Sequence, residues 1–381
     1  MECQYCHAGK ADFTFNTMDE AHEGLIHDPS VPGESACTEC HEEPQFAVSA
    51  CNVCHQEEVE ATANSLHTNL WGEINAIEDR CGCTYEGSDW ADGFKNKCAG
   101  CHTTCGQCHV SRPNSVGGGF PIITLKPGSH RFRGTPDMNE QCTACHGSRV
   151  GTDYKGEIEG NVRDVHYSKG YKCEFCHKKN EIHGDGLYEG EHYDHRYEVA
   201  TMPRCERCHG NLEANDYHNM HVGEGTGRNL QCQVCHSQPY KNCTNCHNLV
   251  ADDKVDKFDI DPSVVQLKIA QNPSPHRQEY DFVLVRHTPI DPDTYADWGL
   301  ALPEYNSKPT WQYTSPHNVI RRAPQTGDGT GSCSAACHQS ADGPEGYLLR
   351  DSDLRDEAGN PLVDYDANKD IVIRPDFPNG K

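Results

Sequence analysis

The stretch Cys98-Ala-Gly-Cys101-His102-Thr-Thr-Cys105-Gly-Gln-Cys108-His109 holds two copies of Cys-x-x-Cys-His with two residues between them. The same word recurs in both directions. Cys3, Cys6 and His7 form the first copy, Cys37, Cys40 and His41 the second, and Cys51, Cys54 and His55 the third. Downstream come Cys142, Cys145 and His146, then Cys173, Cys176 and His177, then Cys205, Cys208 and His209. Cys232, Cys235 and His236 follow, and after them Cys243, Cys246 and His247. These make ten regular copies, and Cys333-Ser-Ala-Ala-Cys337-His338 is an eleventh with one extra spacer. Of 24 cysteines, only Cys81 and Cys83 stand outside the pattern.

This spacing has a chemical reason. Two thiols three positions apart can add to the two vinyl groups of a haem as thioethers, and the next residue, histidine, gives the iron a proximal nitrogen. Competing readings explain less. Zinc ribbons need paired knuckles and have no use for a histidine after every second cysteine. A disulfide framework does not require the histidine, and thioredoxin-like pairs occur singly. The motifs predict eleven haem c groups per chain, held by the 22 motif cysteines, with the eleven motif histidines on iron.

Composition agrees with that reading. The chain has 381 residues, 35% of them hydrophobic when cysteine is counted. Without cysteine roughly 29% remains, too little for ordinary cores of this size. Mean hydropathy is −0.80, and there are 34 Gly and 22 Pro. With one motif per about 35 residues, the porphyrins themselves would be the core and the polypeptide a thin wrapping. The expected fold is a multihaem cytochrome c: mostly loops, with short helices wrapped around a chain of haems and few short strands. The net charge of −25 argues against a nucleic-acid partner, which would need a basic surface. No apolar run is long enough for a membrane span.

The second axial ligands follow by counting. Eleven of 24 histidines lie in motifs, leaving His22, His27, His67, His130, His166, His183, His192, His195, His218, His221, His276, His287 and His317. Methionines number only 5, so bis-His ligation is expected at nearly every iron, with two histidines to spare. His192 and His195 lie three apart, as do His218 and His221, and one of each pair could be surplus. His276, in a polar stretch, is another surplus candidate. The distal set is read as His22, His27, His67, His130, His166, His183, His195, His218, His221, His287 and His317. Bis-His iron has both axial positions closed and a low potential, which suits electron exchange rather than substrate binding. Short intervals between motifs, such as Thr103-Thr104, place neighbouring rings almost in contact.

Along the chain, residues 1–97 form a three-haem segment and 98–250 a seven-haem segment. Residues 251–332 are haem-free and would supply distal ligands; 333–381 carry the last motif and an acidic tail. Val264–Ile269 and Asp281–Arg286 read as short strands. His287 and His317, in Val-Arg-His-Thr-Pro and Ser-Pro-His-Asn, are read as reaching other segments' haems. Asp364-Tyr-Asp366-Ala-Asn368-Lys-Asp370 faintly echoes a calcium loop, lacks its glycine and late glutamate, and reads as a solvated acidic tail.

The chain resembles extracytoplasmic multihaem c-type cytochromes. From about Cys98 onward it is similar to the octahaem tetrathionate-reductase-like group. That likeness is carried by Cys105-Gly-Gln-Cys-His-Val-Ser-Arg-Pro, Cys142-Thr-Ala-Cys-His-Gly-Ser-Arg-Val, Cys232-Gln-Val-Cys-His-Ser, Val285-Arg-His-Thr-Pro-Ile and Trp311-Gln-Tyr-Thr-Ser-Pro-His-Asn. Three motifs precede that part, which departs from the octahaem pattern. The total of eleven also resembles the undecahaem cytochromes of Gram-positive metal reducers, which form polymeric extracellular filaments. The resemblance implies an exported protein, extracellular or at the cell surface, although no signal peptide is visible ahead of Cys3. It implies redox proteins, extracellular metal oxides or further copies of the chain, joined head to tail in a filament, as partners.

Two function classes follow. The first is an electron conduit with every iron six-coordinate. The second is an octahaem-type reductase of sulfur or nitrogen oxyanions, which needs one open or Lys-ligated haem; Lys95, Lys97 and Lys172 stand next to motifs. The net negative charge repels anions, and the histidine supply closes every iron, so the conduit is preferred. Cys81-Gly-Cys83 is read as a disulfide, either a plain crosslink or a redox-active pair.

Overall fold

The computed structural model describes residues 55–97, 105–109, 134–184, 193–210, 212, 215–222, 229–240, 267–288, 290, 292–323 and 346–374. Contacts divide the chain into two units. One falls within Met1–Ile77, Thr84–His146 and Lys172–Met202, the other within Glu78–Cys83, Gly147–Tyr171 and Pro203–Lys381.

The first unit is helical. Gln56–Thr62, Leu66–Asn69 and Trp71–Cys81 follow one another closely. Ser65 caps Leu66–Asn69: its hydroxyl accepts from His67 N and donates to the carbonyl of Ile182 at 2.7 Å. Leu70 ends that helix with φ +53°, a left-handed stop that is uncommon outside glycine and asparagine. On Trp71–Cys81 the inward positions Ile74 and Ile77 follow helical spacing. Trp90 and Phe94, one turn apart, make edge contacts with each other and with Tyr85 at 5.1 to 6.3 Å.

The second unit contains a three-stranded antiparallel sheet in the order β1-β2-β3, comprising Leu267–Gln271, Phe282–His287 and Trp311–Tyr313. Ile269 pairs with Leu284, and Val285 with Tyr313. Val234, Ile269, Leu284, Leu348 and Ile373 form one buried cluster, each side chain contributing about 1.5 to 3 kcal/mol on burial. Lys268 is buried and satisfied, its Nζ donating to Gly346 O at 2.6 Å and to Asp353 at 3.2 Å. Among the described residues no helix is long and apolar enough to cross a membrane.

The C-terminal segment corrects one expectation. It is not a solvated tail: Asp364 is 1% exposed, Asn368 is fully buried, and Ile371 and Ile373 are buried too. The helix Tyr365–Asn368 brings Asp364 and Asn368, four apart, onto one face. Both hydrogen-bond Thr310 beside β3. Acidic side chains on the other face, such as Asp366 and Asp370, gave the stretch its hydrophilic appearance.

Candidate functional site

Five complete motifs lie among the described residues, and each is built on about one helical turn. Cys105–His109, Thr143–His146, Cys173–Cys176, Cys205–Cys208 and Cys232–His236 are helical. A π-helical turn, Met138–Cys142, leads into the second of these. One turn puts residues three apart on the same face, so both thiols of a motif point the same way. The closing bonds are His177 N to Cys173 O and His209 N to Cys205 O, each 2.9 Å. Within three of the motifs the second thiol, that of Cys145, Cys176 or Cys208, is exposed, whereas Cys108 and Cys235 are half-buried.

Four of these five motif histidines face a non-motif histidine. In the first unit His146 lies against His67, with ring centroids 6.1 Å apart, and His109 against His183 at 5.9 Å. In the second unit His209 lies against His166 at 6.1 Å, and His236 against His218 at 6.3 Å. Metal–nitrogen bonds of about 2.0 Å put two imidazoles on opposite sides of one ion with centroids about 6 Å apart. The four separations fit that requirement. Two thiols on one face, the adjacent imidazole and the facing one would suit a covalently held bis-His haem, the sulfurs bonding its vinyl groups and the two imidazoles its iron. Among the described residues no group of three or more His, Cys, Asp or Glu converges on one point.

Neighbouring groups prepare these rings. Burial, followed by the His146 ring, pushes His67 down to about 4, so it is neutral at physiological pH, as a metal ligand must be. Burial and His109 lower His183 as well. His166 is shifted the other way, chiefly by its hydrogen bond with Asp164, with burial opposing. Asp164 does three jobs: it caps Val165–Ser168, meets His166 Nδ1 at 3.0 Å, and accepts from Val319 N at 2.6 Å. Glu181 holds His177 Nδ1 at 2.8 Å, and the carbonyl of Ile320 holds His236 Nδ1 at 3.1 Å. A second partner on Nδ1 fixes the ring and leaves Nε2 for metal. Asp164 and Glu181 were missed in the sequence reading. The helix-capping Asp two positions before His166 was the available signal for the first.

Motif thiols also meet one another. In the first unit the Cys173 thiol donates to Cys142; in the second Cys232 donates to Cys205. Glu206, inside one motif, accepts from Tyr280 and lies 3.6 Å from Cys232 Sγ, and buried Arg277 donates to Tyr280 at 3.2 Å.

The remaining expected ligands are placed as follows. His221 Nδ1 donates to Tyr217 O at 2.9 Å. His276 and His317 are half-buried in the second unit. His195 caps Arg196–Glu198, its Nδ1 accepting from Tyr197 N at 3.2 Å. His287 stacks on Trp311 at 4.8 Å with its Nε2 2.9 Å from Asp364. Lys172 is ion-paired with Asp137 at 3.7 Å. His55 begins the helix Gln56–Thr62, 3.9 Å from Glu58.

Other expected haem-binding residues lie outside the described residues. In the first three motifs these are Cys3, Cys6, His7, Cys37, Cys40, His41, Cys51 and Cys54. Further along they are Cys98, Cys101 and His102, then Cys243, Cys246 and His247, and finally Cys333, Cys337 and His338. His22, His27, His130, His192 and the side chains of Lys95 and Lys97 lie outside as well. Comparison with known protein families, curated proteins and solved structures finds no match to this chain.

Proposed function

We infer that the chain is an electron-transfer conduit, a multihaem c-type cytochrome that binds eleven haems covalently and closes each iron with two histidines. The observation carrying this reading is the set of four motif and non-motif imidazole pairs at 5.9 to 6.3 Å. When bound, the haems supply one-electron exchange at low potential. The protein's own residues anchor and orient. Cys105 with Cys108, Cys142 with Cys145, Cys205 with Cys208, and Cys232 with Cys235 would form the thioethers. His109 with His183, His146 with His67, His209 with His166, and His236 with His218 would occupy the axial positions. Cys173, Cys176 and His177 would hold a further haem, with Glu181 orienting the ring.

Two further observations favour a conduit over an oxyanion reductase. Each of the four pairs would hold its iron from both sides, which would leave no position for a substrate. Lys172, next to Cys173, is ion-paired with Asp137 at 3.7 Å. The contacts of Cys142 with Cys173 and of Cys205 with Cys232 bring anchoring points of successive motifs together, which suits near-contact rings. An exported protein, extracellular or at the cell surface, follows from this chemistry. Its partners would be redox proteins, extracellular metal oxides and copies of itself in a head-to-tail filament. Electron paramagnetic resonance of the oxidised holoprotein tests the reading: low-spin bis-His ferric signals are expected throughout, and a substantial axial high-spin signal would favour the reductase.

A further inference from the structure

We propose that Cys81 and Cys83 form a reducible thiol–disulfide site, separate from the haem motifs, that exchanges with small thiols. The two are bonded, two positions apart in sequence, with Cα atoms 5.1 Å apart. As a staple this bond has little to hold. A crosslink stabilises chiefly by closing a loop of chain, more for longer loops, and the loop closed here spans three residues.

The local geometry suits exchange. Cys81 is the last residue of the helix Trp71–Cys81 and is 7% exposed. Gly82 is exposed and turns the chain with φ +60°, and Cys83 is half-buried. Gly82 is required in that left-handed turn, which strains residues with a Cβ; a Cβ there would also meet the Glu304 carboxylate at 3.4 Å. The Cys83 sulfur is thus the more accessible one, and the Cys81 sulfur is the leaving group. The backbone N–H of Cys83 donates to Cys81 Sγ at 3.2 Å, a hydrogen bond that would stabilise the expelled thiolate. Better-stabilised leaving thiolates depart faster.

The step balances with two small thiols as reductant. The thiolate of the first attacks Cys83 Sγ, forming a mixed disulfide and releasing Cys81 as a thiolate, which takes up a proton. The second attacks the outer sulfur of the mixed disulfide and releases Cys83 as a thiol. The small disulfide leaves, so two electrons and two protons have passed to the protein. The adjoining residue would register the change: buried Arg80 donates to the carbonyls of Tyr305, Lys308 and Pro309, and its own carbonyl accepts from Glu304 N.

The test uses the whole folded chain in glutathione buffers of graded reduced-to-oxidised ratio, quenched with iodoacetamide, with peptide mass spectrometry over residues 81–83. Alkylation of both cysteines that rises through a midpoint as the ratio increases is the expected result. A pair that stays bonded at every ratio and opens only after unfolding would overturn the proposal. In parallel, a double variant carrying C81S and C83S should melt at the parent's temperature; a large drop would make the bond a structural staple and also overturn it. Neither result depends on haem, and motif cysteines alkylated in the same digest would report separately on the haem reading.

Discussion

The Nε2 atom of His287 lies 2.9 Å from Oδ2 of Asp364, whose side chain is 1% exposed. His287 pairs across the sheet with Trp311 and stacks on its ring at 16°. Thr310 donates to the same carboxylate oxygen. The nitrogen that would meet iron thus joins the C-terminal segment to β2. H287L, which has no donor, should lower the melting temperature, at a cost of about 2 kcal/mol for a buried hydrogen bond to a charged group. It should leave the low-spin haem signals unchanged. A new high-spin haem in H287L would make His287 an axial ligand.

The same pair sets an acid limit. Burial alone would raise the Asp364 carboxyl, but the His287 hydrogen bond and charge, with Thr310, bring it below its ordinary 3.8. A carboxyl lowered in the folded state contributes stability above its unfolded value and loses it as pH falls through its folded value. Acid titration followed by tyrosine and tryptophan fluorescence should therefore show a destabilising step below pH 3.8 that H287L weakens.

Asp164 should matter to ligation although it touches no iron. D164A removes the cap on Val165–Ser168 and the partner of His166 Nδ1. The cap alone is worth about 1 kcal/mol. The expected signature is an altered g-tensor or shifted potential for one haem, that on His209. Other haems keep their spectra. Stability loss with every haem spectrum unchanged would reduce Asp164 to a structural cap.

Gly184 follows His183 with φ +85°, and a Cβ there would lie 2.7 Å from the carbonyl oxygen of Ala61. That contact with backbone cannot be relieved by a rotamer. G184A should therefore displace His183 from His109 and convert one haem to high spin. Retention of a fully low-spin spectrum would contradict the pairing of His183 with His109.

H67A opens the pair with His146 directly. One high-spin haem is expected, and added imidazole should restore the low-spin signal by occupying the vacated position. Failure of imidazole to rescue would place the effect of H67A in the fold rather than in ligation.

What was legible in the sequence was local. The expected chemistry of Cys205 to His209 is spelled within five residues, and its helical turn follows from the same spacing. Which imidazole faces which did not show, because His67 and His146 are brought together by tertiary packing, Ser65 reaching Ile182 and Leu70 turning left-handed among the causes. The strand Phe282–His287 was visible as an apolar run, whereas Trp311–Tyr313, with three residues, was too short to stand out. The C-terminal segment misled because the exposed Asp366 and Asp370 are interleaved with Asp364, Asn368, Ile371 and Ile373, which face inward.

Haem quantitation by pyridine haemochrome, on protein first extracted with acidified acetone, asks whether every motif carries a covalently held haem. Extraction removes haem held only by its iron and leaves thioether-bound haem in place. Eleven haems retained per chain are expected, one for each motif. A colourless protein after extraction, or eight or nine haems per chain, would contradict that expectation.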